Sequence, residues 1–521
     1  MRSDAHDVAI LGLGPVGCMA AILLSRAGLK VVGIERDEEV YKLPRAVNLD
    51  GEIVRALQPS GLAGGLNALL QPVRHGERHG FANSKREWLF GANAVAFGAN
   101  GWQPVNMFDQ PEIEAFLRRT AIEHRNMTAY IGCEATAFTD DGKGVSLTFE
   151  QSGQPATVRA RYLLACDGAS SFTRKRLGIG WHNLGYDHDW LVVDVITKAG
   201  HTLGTTTMQV CDPDRISTYV CTKDPFRRWE FKLNEGESWE QMLDPETIRS
   251  LIEEWTPPGT YEIRRAAMYQ FHAATADTWR VGNTFIAGDA AHQTPPFLGQ
   301  GMNAGMRDVI NLGWKLPMVI RGLAGDGLLD TYQAERDAHA HDLVDWAVSI
   351  GRLMVHLAAV EAAQRAGRCP PEIPMDLKSS GYGQGREQPP LRAGAIMTEQ
   401  INEHGPVGYL CSQPMVRRQD EVPPDDGAFR LDDLLGPGFS IIGRTEADLA
   451  LSSSARKIVD KLDARLVSLQ GLIEERGHFD RGFEEAGAMI VRPDRIVFGC
   501  TSDEYDLDTL LAELAARLDL N

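Results

Sequence analysis

The spacing of apolar positions changes several times along the 521-residue chain, and each change marks an element. Asp7-Val8-Ala9-Ile10-Leu11 is a short apolar run, the pattern of a strand buried on both faces. Met19, Ala20, Leu23, Leu24 and Ala27 then recur at helical spacing, Gly28 ends that helix, and residues 30–34 form the next strand, closed by Glu35. A second helix is predicted after Asp109, through Ile113, Phe116, Leu117 and Ala121, and a strand over residues 161–166. Strands follow at 190–196, 205–210, 216–221 and 228–233. In the last of these Trp229, Phe231 and Leu233 alternate with Arg228, Glu230 and Lys232, which predicts a half-buried sheet with its polar side outward.

Further on, Phe285-Ile286-Ala287 is a buried strand end, broken by Gly288-Asp289. Pro295, Pro296, Gly299 and Gly301 impose an irregular loop, after which Met302, Met306, Val309, Ile310 and Gly313 recur at helical spacing. Pro317 predicts a kink or stop near Lys315, since proline in a helix removes a hydrogen bond and costs about 3 kcal/mol. Helical pattern resumes over 332–360, and residues 366–394, rich in Gly, Pro and Ser, are expected to be a linker. The piece from 395 to 521 has its own pattern: LDDLLG at 431–436, strands at 439–442, 488–490 and 496–499, and an amphipathic helix over 507–518.

A chain of this length divides into two or three domains. A net charge of −18 argues against a nucleic-acid partner, which needs clustered Lys and Arg. The 8 cysteines are scattered, none in a CxxC pair, which favours reduced thiols in a cytoplasm; no metal-ligand spacing occurs. Residues 8–24 are uncharged, but Gly12, Gly14, Pro15 and Gly17 interrupt them and Asp4 and Asp7 precede them. A membrane span needs about 20 apolar residues and a signal a basic start, so a soluble, cytoplasmic protein with no membrane partner is expected.

Strand, Gly12-x-Gly14-x-x-Gly17, helix, strand and Glu35 follow in the order of a dinucleotide site. Gly12 makes the turn, Gly14 admits a pyrophosphate, Gly17 lets helix pack on strand, and Glu35 can take ribose hydroxyls. Pro15, Val16 and Arg36 belong to the same site. This motif alone leaves FAD or NAD open. The second stretch narrows the choice. A carboxylate at a strand end (Asp289), close-approach glycines and a helix start suit a ligand with a polyol, a phosphate and a ring that becomes negative, as reduced flavin does.

Gly288-Asp289-Ala290-Ala291-His292, Pro295-Pro296 and Gly299-Gln300-Gly301-Met302-Asn303 resemble the second FAD motif of the flavoprotein aromatic hydroxylases. The nearest branch is the 3-(3-hydroxyphenyl)propionate hydroxylase-like group, with phenol hydroxylases and aromatic-polyketide hydroxylases as neighbours. The resemblance implies an α/β fold: a discontinuous Rossmann-like FAD-binding domain, an inserted, mostly antiparallel substrate-side sheet and a thioredoxin-like C-terminal domain lacking CxxC. The expected division is 1–185 and 276–365 for the FAD domain, 186–275 for the sheet with 76–105 added, and 395–521 for the last domain. It implies that Asp289 binds the ribityl and phosphate region and that Pro296, Gly299, Gly301, Met302 and Asn303 face the isoalloxazine. Arg45 and Gln110 are expected on the FAD chain, and Asp167, in an Asp-Gly fingerprint continued by ASSFTR, near both FAD and the nicotinamide path.

The implied chemistry is reduction of FAD by NADH or NADPH, addition of dioxygen at flavin C4a, and transfer of one oxygen from the hydroperoxide to a phenolic ring. An oxidase or dehydrogenase on the same fold, or tailoring of an aromatic polyketide, remains the alternative. Gln209 and Tyr219, on predicted substrate-side strands, and Tyr269 and His272, just before the last FAD segment, are candidates for contact with the phenol. Pro296 is expected to line the flavin face, and the C-terminal domain to serve packing or a homodimer contact.

Overall fold

The computed structural model describes residues 6–372, 374, 388–402, 404–419, 427–479, 483 and 486–520. The GYGQG stretch of the expected linker (381–385) lies outside the described residues. The first sheet has five parallel strands in the order Thr284–Ile286, Gln154–Ala165, His6–Leu11, Val31–Glu35 and Met127–Ile131. Val8, Ile10, Val31, Leu163 and Leu164 are buried, as the continuous apolar runs require. Helices Pro15–Arg26, Gln110–Ile122 and Gly301–Ile320 cover one face. Antiparallel strands Glu134–Asp140 and Val145–Gln151 extend from Gln154–Ala165, and Phe138, Leu147 and Phe149 pack with Ala9, Leu11 and Val32.

The second sheet has eight strands, ordered His292–Gln293, Tyr261–Ala276, Trp181–Thr197, Phe226–Lys232, Ile216–Cys221, Met208–Cys211, Arg78–Ala82 and Trp88–Asn93. All its pairs are antiparallel except Met208–Cys211 with Arg78–Ala82. The 76–105 stretch thus adds two strands, and 205–210 begins as strand only at Met208. The expected outward polar side of Arg228 and Glu230 is a correction: both are buried, at 4% exposure, because this face docks onto the first unit. The opposite face carries Tyr219, Trp229 and Phe231 and is closed by helix Pro245–Glu253.

Pro317 does not stop its helix near Lys315; Gly301–Ile320 runs three residues past it. The proline sits in the last turn, where the chain ends the helix anyway. Helix Gly327–Arg365 follows, 39 residues long. By length and composition it could cross a membrane, yet Glu335, Arg336 and His339 are buried on it and it packs against helix Gly301–Ile320 and the second sheet. At the C-terminal end, strands Arg465–Ser468, Ser440–Gly443, Ala488–Val491 and Val497–Cys500 form a mixed sheet, with helices Ser453–Leu462 and Leu507–Arg517 packed on each other.

Candidate active site

Two helix starts meet at Gly288. Gly12 has φ +91° and a Cβ there would lie 2.5 Å from the Cys166 carbonyl oxygen; one on Gly17 would lie 1.9 Å from the Gly12 oxygen. Both must be glycine for the helix to seat on the strand. At Gly14 a Cβ would have no neighbour within 4 Å. This residue N-caps Pro15–Arg26, with Pro15 opening the helix, no side-chain cap and no acidic residue in the first turn. The helix therefore presents unpaired N–H groups and its positive end to open space, a cradle for a phosphate. Val16, expected in the cofactor set, uses its side chain otherwise: it packs on Gly288 and Gly305. Glu35, 7% exposed, accepts from Leu13 N–H (2.6 Å) and Asp37 N–H (2.8 Å), so it holds the glycine loop as well as facing it. Arg36 is exposed beside Asp37.

The Gly288–His292 segment is anchored by Asp308, which sequence reasoning did not single out. Its Oδ2 accepts the Gly288 N–H (2.9 Å) and lies 2.7 Å from His292 Nε2, and its Oδ1 accepts from Arg336 (3.0 Å). Burial alone would raise the Asp308 carboxyl, but His292 and Arg336 hold it below its ordinary value. His292 is itself sandwiched, its ring stacked on Trp279 at 5.3 Å. The anchored segment leaves the Asp289 side chain exposed while Gly288 and Ala290 are buried. Surrounding protein raises its carboxyl by desolvation, opposed by His292 and Arg45. An exposed carboxylate in such a cleft is a hydrogen-bond acceptor suited to sugar-type hydroxyls.

Arg45 rides a loop fixed from two sides. Gln110 Oε1 accepts the N–H groups of Arg45 (2.9 Å) and Ala46 (2.7 Å), and Arg228 donates to the carbonyls of Pro44 (2.9 Å) and Arg45 (2.7 Å). Gln110 Nε2 reaches Glu114, so the residue's visible work is on this loop. Asp167 Oδ2 accepts the Thr173 N–H (2.9 Å), whereas its Oδ1 is buried with no partner. Arg174 ties this fingerprint to the second motif, donating to the carbonyls of Ala169 and Ala290.

The proline loop forms a short 3-10 turn, Pro296–Leu298, then Gly299 at φ +63°, where a Cβ would lie 2.7 Å from Asn48 Nδ2. Helix Gly301–Ile320 starts with no side-chain cap, and a Cβ on Gly301 would meet nothing within 4 Å. Met302 is partly buried against the main core. Asn303, expected at the cofactor, is fully buried and holds the loop: it accepts from Asp50 N–H (3.0 Å) and donates to Asn48 Oδ1 and the Gly299 carbonyl (both 3.1 Å). Asp50, Glu52, Gln300 and Arg307 complete that lattice. The open helix starts at Gly14 and Gly301, the exposed Asp289 and the unpaired Asp167 oxygen fit the phosphates, polyol and ring of FAD.

Four side chains were expected at the substrate. Tyr219 is not there: it lies on the far face, donating to the Gly204 carbonyl (2.7 Å) between Trp229 and Trp255, with its phenol raised by burial. His272 is exposed and pairs with Asp187 at 2.5 Å, away from the proline turn. Both errors arise from strand parity, which only the register fixes. Gln209 does reach the loop, donating to the Phe297 carbonyl (3.4 Å) and accepting from Thr218 (2.5 Å). Tyr269 accepts from Arg265 (3.0 Å) on the same face. The wall opposite Phe297 is aromatic: Tyr186, Trp190 and Phe271 have ring centroids 5.7, 5.2 and 6.2 Å from it.

A dinucleotide cradle split across the chain, closed by a sheet with an aromatic inner wall, defines the flavoprotein aromatic hydroxylases. The chain belongs to that family: residues 5–347 match the model described as "FAD binding domain". It is an FAD-dependent enzyme of the aromatic-ring hydroxylase class. Residues 408–517 match the model described as "HcaD C-terminal domain". Among relatives, the chain is 32% identical over 445 residues to 3-(3-hydroxy-phenyl)propionate/3-hydroxycinnamic acid hydroxylase of Klebsiella pneumoniae, covering 84% of this chain and 78% of the relative. It is 33% identical, with the same coverage, to the protein of that name from Escherichia coli. Among solved structures, the ternary complex of aklavinone-11 hydroxylase with FAD and aklavinone superposes with TM-score 0.79 at 24% identity, over 100% of both chains. The flavin-dependent monooxygenase PieE with FAD and substrate gives 0.79 at 21%, over 99% of this chain and 100% of the other.

Proposed function

We propose that the protein hydroxylates a phenolic ring, using dioxygen and NADH or NADPH. The observation that carries this is the exposed Asp289 carboxylate beside two open helix starts, together with the aromatic wall of the second sheet packed around Phe297 of the proline loop. In this reading Gly14 and its helix start hold the pyrophosphate, Glu35 the adenosine ribose, Asp289 and Arg45 the ribityl–phosphate stretch, and Gly299–Met302 the ring edge. When bound, FAD supplies the two-electron reduction and oxygen activation that no side chain offers. Pro296 and Phe297 shape the ring side of the substrate space, and Trp190, Phe271 and Tyr186 hold an aromatic ring and exclude water. A phenol suits this chemistry because its ring is rich toward an electrophilic oxygen. The names of the relatives support a substrate of the 3-hydroxyphenylpropionate kind, and the structural likeness keeps an aromatic polyketide as the second reading.

The C-terminal sheet and helices support a thioredoxin-like unit without redox work. Cys411 and Cys500 are buried free thiols, pushed up by burial to about 11 and about 12, so neither supplies the thiolate such chemistry needs. The test of function is turnover under labelled dioxygen with a panel of phenols led by 3-(3-hydroxyphenyl)propionate. One labelled oxygen in the product is expected. Label only in peroxide or water, with a dehydrogenated product, would make the protein an oxidase.

A further inference from the structure

On the inner face of the second sheet one acid stands without an ion-pair partner at hydrogen-bond distance. Residues directly opposite in an antiparallel pair share a face, so the register puts Glu230 beside Val192 and Thr218, and Thr218 beside Gln209. This is the face that touches the cofactor unit: Arg228 donates to the Arg45 loop and Gln209 to the Phe297 carbonyl. Glu230 therefore lies between the two places where the sheet meets the FAD loops. It is 4% exposed, and the nearest cation, Arg228 Nη1, is 4.0 Å away. That arginine is already taken by Asp194 (2.7 Å) and the loop carbonyls. Asp194 itself is paired with both Arg228 and Arg265.

We propose that Glu230 is a catalytic base of the hydroxylation, accepting the hydroxyl proton of a phenol bound between this face and the Pro296–Leu298 turn. The proposal rests on the hydroxylase reading above. The phenol O–H bond breaks, the proton passes to a carboxylate oxygen, and the electron pair stays on the phenolate, enriching the ring before oxygen transfer. The proton then leaves to solvent and restores the carboxylate. The environment is suited to this. Burial pushes the carboxyl up to about 7, with Arg228 and Arg265 opposing and Asp194 reinforcing. The other titratable groups on this face are Lys232 on its own strand, Tyr186 and His188 on Trp181–Thr197, Tyr269 on Tyr261–Ala276, Cys211 on Met208–Cys211 and His79 on Arg78–Ala82. Thr218 and Gln209, from the two strands beyond, are neutral. The basic form grows as pH rises through about 7, so turnover should rise with it.

The experiment compares holoenzyme and Glu230→Gln, with 3-(3-hydroxyphenyl)propionate and phenol as probes and a ring-fluorinated analogue of each, whose hydroxyl ionises more readily. Wild type should show the phenolate difference spectrum of bound probe growing through neutral pH. Glu230→Gln should keep its FAD and bind the probes, lose that spectrum, and turn over roughly 10²-fold more slowly, the usual worth of a positioned base. The fluorinated probes should recover most of that loss. Equal loss on parent and fluorinated probes, an unchanged pH profile, or a phenolate spectrum retained in the variant would each overturn the assignment. Glu230→Asp, which keeps the carboxylate, shows whether a loss of FAD in the glutamine variant reflects folding; if Asp folds and lacks any pH-dependent ionisation of the probe, the assignment also falls. Wild type that forms no hydroxylated product would instead sink the hydroxylase reading.

Discussion

In the proposed site Asp289 would offer a single carboxylate to a neutral polyol. Its neighbours Gly288 and His292 are both held by Asp308, which Arg336 holds in turn. Replacing Asp289 with alanine removes an ionised acceptor. The expected loss of FAD affinity is about 1.5–3 kcal/mol, roughly 10- to 150-fold in Kd, read by titrating apoprotein and following flavin fluorescence; an unchanged Kd would remove Asp289 from the site. The close approaches at Gly12 and Gly17 and the place of Asp289 just after a strand were legible in the sequence because they are local features. Asp308 and Glu230 were not. Asp308 acts back across helix Gly301–Ile320 on a loop, and Glu230 looked like any polar residue of an alternating strand. Whether that polar side meets water or another unit is decided by docking, which no local pattern records.

At the scale of elements, the site depends on how closely two helices cross. Helices Pro15–Arg26 and Gly301–Ile320 touch where Gly288, with φ +62°, lies under Gly305 and Val16. A Cβ on Gly305 would stand 2.8 Å from Val16 Cγ2 and 2.9 Å from Gly288 Cα. The side chain could shift, but the Gly288 backbone is pinned by Asp308. Gly305→Ala should therefore cost about 1–3 kcal/mol, as overpacking does, and should loosen both helix starts together. We expect a lower melting temperature and less FAD retained on purification; full FAD content with an unchanged melting temperature would show that the crossing tolerates a methyl. Helix and strand periods located these elements in the chain well. The end of Gly301–Ile320 was misplaced because Pro317 forfeits one bond back to Gly313, a local cost that tertiary burial of Leu316, Pro317 and Val319 outweighs for the one turn that remains.

At the scale of the molecule, the C-terminal piece is joined to the FAD unit by buried charge. Arg55, from helix Gly51–Ala56, donates to both oxygens of Asp432 (2.9 and 2.8 Å) and to the Cys411 carbonyl (2.6 Å); Arg495 adds a third bond to Asp432 (3.0 Å). All three charged side chains are under 5% exposed. A second cluster joins Lys315 and Glu335 to Arg492 and Asp494, and Glu335 precedes Arg336, the partner of Asp308. The C-terminal piece thus braces helices Gly301–Ile320 and Gly327–Arg365, the first of which continues from the proline loop. Burial raises the Asp432 carboxyl, yet Arg55 and Arg495 outweigh it and hold it below its ordinary value. Its contribution to stability is accordingly present above the unfolded pKa of about 3.9 and is lost as pH falls through the lower folded value. Asp432→Ala leaves two guanidinium groups buried without their counter-charge, which should cost about 3–5 kcal/mol. Unfolding of a chain with several units is not one transition, so the readout is limited proteolysis between the units together with FAD release on heating. Both should move to milder conditions in the variant. Replacing Arg55 and Asp432 together by methionine and leucine removes one charge of each sign and should recover part of the loss. If Asp432→Ala resists protease and keeps FAD as the parent does, the buried cluster is not what holds the C-terminal piece in place.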